Sequence, residues 1–199
     1  EGTYIIFASQ PYRNHVKDLL EPQKYPERFV YPGGPAEPPY DVAGWTLSYQ
    51  MGVNVIRVEC PFEAHSHLVE ALEAPKGSVT GQGAVFISRN RTTNDFILVN
   101  RAFDQGIPVS VLSSDREVGG YKFVKASMAF SPESSSQRDL LSGWAADLGI
   151  EMTSVPSLPS GAFVREIKKP RLGLYQPWAP SMDEGWTRFI LEQFEFDYN

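Results

Sequence analysis

The sequence predicts an α/β fold: a mainly parallel sheet built from βαβ units with flanking helices, preceded by a Pro/Gly-rich connector. Three observations predict it. Short apolar runs at 84–88, 107–112 and 150–155 have the composition of buried strands. Stretches with apolar residues at helical spacing lie between them, as with Phe96, Val99 and Phe103. Gly106 and Gly149 follow those stretches where a helix C-cap falls. Strand, helix, glycine, strand is a crossover connection, which joins parallel strands and is right-handed.

The elements follow in order. Residues 3–8 read as a strand by their β-branched and aromatic content. Residues 11–20 suit a helix, with Pro11 in its first turn. From 21 to 40 the prolines at 22, 26, 32, 35, 38 and 39, with Gly33 and Gly34, make a connector. Asp41 is placed to cap a helix carrying Val42, Trp45, Leu47, Tyr49 and Met51, closed by Gly52. Residues 53–58 read as a strand, and 62–72 are helix-like but weakly patterned.

The clearest unit is the strand 84–88, a helix capped by Thr92 or Thr93 and running to about 104, and the strand 107–112. A second unit has a strand over 121–130, a helix preceded by the serines at 134–136 and bearing Leu140, Leu141, Trp144, Ala145 and Leu148, and a strand over 150–155. The basic cluster of Arg165, Lys168, Lys169 and Arg171 reads as a solvated linker. A third unit opens with a strand at 172–175. Ser181 and Glu184 then form a capping-box pattern before a helix carrying Trp186, Phe189, Ile190 and Phe194. After that helix a further strand is due.

The chain has 199 residues, 42% of them hydrophobic, which is enough to bury a core. Its formal net charge of −6 and the lack of a basic stripe argue against a nucleic-acid partner. One cysteine, Cys60, rules out an internal disulfide. No run approaches the roughly 20 apolar residues of a membrane span. The chain opens on Glu1 with a strand-like run close behind, so it is expected to start inside structure, with any targeting segment removed.

Catalytic signatures are sparse. His67-x-x-Glu70 has the spacing of a carboxypeptidase metal pair, but no histidine follows to complete the three ligands a catalytic zinc needs. Cys60, Glu63, His65 and His67 are four donors in eight positions without a structural zinc pattern. Cys60 precedes Pro61, and nothing nearby in sequence lowers its pKa. Dinucleotide-binding and P-loop glycine motifs are absent, and Gly81-x-Gly83 precedes a strand, as a turn does. Asp183 and Glu184 sit at a helix N-terminus, where the helix dipole favours them. The aromatic set Tyr175, Trp178 and Trp186 lies at a strand end before a capped helix, where open α/β sheets bind ligands. It reads either as an interface plug or as the wall of a pocket.

Three stretches carry a family resemblance: residues 39–53 (PYDVAGWTLSYQMGV), residues 10–20 with 23–26 (QPYRNHVKDLL, QKYP), and residues 171–178 with 181–188 (RLGLYQPW, SMDEGWTR). Together they resemble bacterial proteins that carry a carboxypeptidase A-like zinc peptidase domain and continue into a class I glutamine amidotransferase-like region. The resemblance implies that 1–40 is a connector after a missing peptidase domain. It implies an α/β domain over 41–168, and the start of a truncated amidotransferase-like domain over 169–199. It implies zinc in the parent's peptidase domain, none in this segment, and a secreted or periplasmic location. The family's zinc ligands and general base match no position here, and neither does an amidotransferase cysteine.

The expected function is therefore a non-catalytic accessory segment that packs on or regulates the parent's peptidase domain, with self-association left open. The alternative is a free-standing binding module for a peptide or small molecule. Under either reading the residues to watch are Tyr175, Trp178, Asp183, Glu184 and Trp186.

Overall fold

The computed structural model describes residues 3–38, 46–158 and 163–199. The chain divides into two compact units, Glu1–Leu68 and Val69–Asn199. That division falls inside the stretch 41–168 expected as one α/β domain.

The first unit holds two helices, α1 (Arg13–Leu20) and α2 (Leu47–Gln50). They are tied by polar contacts. The Thr46 hydroxyl accepts from the Gln23 N–H at 3.3 Å and donates to the Glu21 carbonyl at 3.4 Å. The Ser48 hydroxyl donates to the Leu20 carbonyl at 3.3 Å. The connector makes one antiparallel bridge, Phe29 to Ala36. The expected strands at 3–8 and 53–58 and the helix-like run at 62–72 form no regular element. A strand exists only where its N–H and C=O groups meet a neighbouring strand, and among the described residues 3–8 and 53–58 pair in no ladder. The expected cap Asp41 and its neighbours Val42 and Trp45 lie outside the described residues.

The second unit carries β1 (Ser78–Thr80), β2 (Val85–Ser88), α3 (Asn94–Asp104), β3 (Val109–Leu112), β4 (Arg116–Val118), β5 (Tyr121–Phe123), β6 (Met128–Phe130), α4 (Ser135–Leu148), β7 (Glu151–Val155), β8 (Val164–Ile167) and α5 (Met182–Gln193). Six strands form one sheet in the order β1-β7-β2-β6-β3-β8. Only β1 and β7 pair in parallel; the other neighbours run antiparallel. This corrects the expected mainly parallel sheet. Both crossovers exist, through α3 and through α4, but they interleave. Strand β6 lies between β2 and β3, and β2 lies between β6 and β7. Each helix therefore joins parallel strands one place apart, and the intervening strand is antiparallel to both. The order β7-β2-β6-β3 for the series β2-α3-β3-β6-α4-β7 is the split β-α-β arrangement of ferredoxin-like folds.

The period-2 alternation of the strands divides the core between two faces. On one, α3 and α4 pack Leu98, Val99, Ala102, Leu141 and Ala145 against Phe86, Val109, Met128, Phe130 and Met152. On the other, Val85, Ile87, Leu112, Ala129 and Val155 meet Val118 and Phe123. Those last two come from the β4–β5 hairpin, whose two-residue turn is Gly119-Gly120 with φ of 59° and 81°. A type I′ turn requires φ above zero at both positions, which glycine adopts without strain. The continuous strand expected over 121–130 is thus two strands, broken at Ala126 with its φ of 69°.

The helix ends follow local chemistry. The Ser134 hydroxyl accepts from the Gln137 N–H at 3.2 Å, and the Gln137 side chain accepts from the Glu133 N–H at 2.8 Å. Gly149 closes α4 in the left-handed region, at φ 70°. The stretch 164–167, expected as linker, is the edge strand β8 paired to β3. Its Arg165 and Glu166 suit a sheet edge exposed to water.

Candidate functional site

The stretch from Arg171 to Asn199 holds the five residues expected at a ligand or interface site, Tyr175, Trp178, Asp183, Glu184 and Trp186. Leu172 forms a parallel bridge with Tyr198, the Leu174 N–H donating to the Asn199 carbonyl at 2.8 Å. This is an isolated bridge, and the strand expected over 172–175 does not form. The capping pattern at α5 forms: the Ser181 hydroxyl accepts from the Glu184 N–H at 3.3 Å. Asp183 and Glu184 occupy the first turn, where the helix dipole stabilises them. The Glu184 carboxylate also lies 3.6 Å from the Arg188 guanidinium.

The far end of this arm is pinned to α3. The buried Asn100 amide donates to the Phe194 carbonyl at 2.8 Å. Arg101 makes a two-pronged pair with Glu195, at 2.8 and 2.6 Å. That geometry suits a planar guanidinium and raises its pKa, chiefly through the hydrogen bonds to Glu195. Phe96 and Phe196 meet as a tilted ring pair with centroids 6.4 Å apart. Lys169 bridges Asp104 and Asp197, which hold its ammonium pKa above the ordinary value. The Tyr198 phenol donates to the Glu192 carboxylate at 2.7 Å, which raises its pKa too.

The near end is open. Tyr175, Trp178, Met182 and Trp186 stand 83, 103, 77 and 62% exposed. Trp186 makes an edge-to-face contact with Phe189, centroids 5.9 Å apart, and Phe189 and Ile190 are themselves exposed. Met182, Trp186, Phe189 and Ile190 recur at helical spacing, so they form one stripe along α5. The structure brings Trp186 beside this stripe with Asp183 and Glu184 in the helix's first turn; it does not bring Tyr175 and Trp178 into a cavity with them. Two shallow cavities are defined elsewhere. One of about 270 Å³ is lined by Asn14, Lys17, Asp18, Glu21, Pro22 and Gln23. The other, about 280 Å³, lies between Lys169–Leu172 and Asp197–Asn199. An exposed aromatic stripe contributes hydrophobic area and ring contacts, the chemistry of a contact surface.

The other candidates do not assemble. Cys60, Glu63, His65, His67 and Glu70 all lie exposed in the irregular segment. Among the described residues no three or more His, Cys, Asp or Glu side chains are grouped to share a metal ion.

A polar cluster that sequence reasoning missed surrounds Asp95, which is 2% exposed at the start of α3. Its carboxylate accepts from the Ser88 hydroxyl and, at 3.1 Å each, from the Thr92 N–H and hydroxyl. The Ser88 oxygen in turn accepts from the Asn90 N–H at 3.2 Å. The cluster satisfies a buried carboxylate and fastens the end of β2 to α3. The signal was available: Thr92-x-x-Asp95 has the capping spacing, with the acid rather than the hydroxyl as the acceptor.

No protein-family model matches the chain, and no curated protein or solved structure is significantly similar to it. The structure defines the class at the level of architecture: an α/β protein with a mixed six-stranded sheet. Among the described residues no helix is long and apolar enough to cross a membrane.

Proposed function

We propose that this chain is a non-catalytic accessory region of a secreted or periplasmic zinc metallocarboxypeptidase-like protein, where it packs on or regulates the peptidase domain. The observation that carries this reading is the apolar stripe of Met182, Trp186, Phe189 and Ile190 along α5, left in water. Monomers rarely expose a contiguous apolar patch beyond a few hundred Å², and larger ones mark contact surfaces. The three stretches that resemble the carboxypeptidase-like family supply the parent, and zinc belongs to that parent's peptidase domain. The start of an amidotransferase-like domain at 169 is consistent with the parallel bridge that encloses α5. Self-association through the same face is the competing arrangement within this reading. The rival reading, a binding module with a pocket near Tyr175 and Trp186, is not supported by the two cavities described, which other residues line.

The test is the intact mass of the natively produced protein, followed by Trp178→Ala and Trp186→Ala in that protein. A mass well above 22.3 kDa, with the two substitutions changing kcat/KM for C-terminal peptide hydrolysis at unchanged zinc content, is the expected outcome. A native mass of 22.3 kDa would end the accessory reading.

A further inference from the structure

We draw no further inference here: the strongest candidate, the exposed apolar stripe of α5, is an unpartnered apolar surface, and nothing in the structure shows what covers it.

Discussion

Residues 53–58 and residues 85–88 are runs of the same kind, Val-Asn-Val-Ile-Arg-Val against Val-Phe-Ile-Ser. In the second unit the run is a central strand with neighbours on both sides, and Ile87 has no exposed surface. In the first unit the run is irregular, and Ile56 is 77% exposed. Their intrinsic β preference is similar, so preference alone does not decide the outcome. What differs is a set of partners: ladders on both edges, and helices or a hairpin on both faces. Among the described residues of the first unit only Ser48 is buried, while the second unit has a core on each side of its sheet. Burial of apolar area is the dominant favourable term in folding, so the two units are expected to differ widely in local stability.

The largest effect that would break this comparison is a core truncation. Phe130→Ala removes a fully buried ring from the middle of the sheet, and about 3–5 kcal/mol of stability should go with it. Val55→Ala, in the exposed run, should change stability by no more than about 0.5 kcal/mol. Urea unfolding monitored by circular dichroism measures both. Similar costs for the two would mean that residues 53–58 are packed in solution, and the contrast would fail.

Next comes the buried carboxylate. Asp95→Ala leaves the buried Ser88 hydroxyl without its acceptor and unties the exposed Thr92 from the start of α3. A loss of about 2–3 kcal/mol is expected, because unsatisfied buried donors carry their full desolvation penalty. The same urea experiment reads it, and native-state hydrogen exchange should show the first turn of α3 losing protection most. A loss under about 0.5 kcal/mol, the size of an ordinary surface substitution, would mean that the cluster is solvated.

Gly149→Ala sharpens the comparison at a helix end. The residue sits at φ 70°, and an added Cβ would lie 2.5 Å from the Pro75 carbonyl oxygen. Left-handed backbone and a contact with rigid main chain together should lower stability by about 1–3 kcal/mol. An unchanged urea midpoint would show that the segment around Pro75 moves away freely.

The elements legible in sequence were those whose signal is local. The periodicity of α3, α4 and α5, the serines at 134–136 ahead of α4, the cap Ser181 and the stop at Gly149 all lie within a few residues of what they specify. Strand pairing does not. Nothing in residues 128–130 says that β6 slots between β2 and β3, and that one placement turns a parallel expectation into an antiparallel sheet. Two misses were avoidable. Gly119-Gly120 is a two-residue hairpin signal, and passing over it left β4 unread. Thr92-x-x-Asp95 named the buried acid. β8 was hidden for another reason: an edge strand can carry Arg165 and Glu166 and so resembles a linker. Among the candidate site residues, sequence located the helix start and its acidic pair. The exposure of Trp178 depends on what packs nearby, which no local pattern encodes.

The smallest effect concerns the pinned end of the arm and appears at alkaline pH. Lys169 between Asp104 and Asp197, and the Tyr198 phenol on Glu192, both hold their protons more tightly than in the unfolded chain. Their ordinary pKa values are roughly 10, and folding raises both. Below that value folded and unfolded chains are both protonated, and the contribution to stability is fully present. As pH rises through the raised folded values, the folded state holds more protons than the unfolded one, so stability falls. Both groups are exposed, so salt should weaken the effect. The other lysines and tyrosines titrate in the same window, so the quantity to read is a difference. The urea midpoint of the parent chain minus that of Tyr198→Phe should be constant to about pH 9.5 and then shrink, and the Tyr198 absorbance change near 295 nm should come late. A difference that stays flat to pH 11.5 would mean that the phenol is not held by Glu192 in solution.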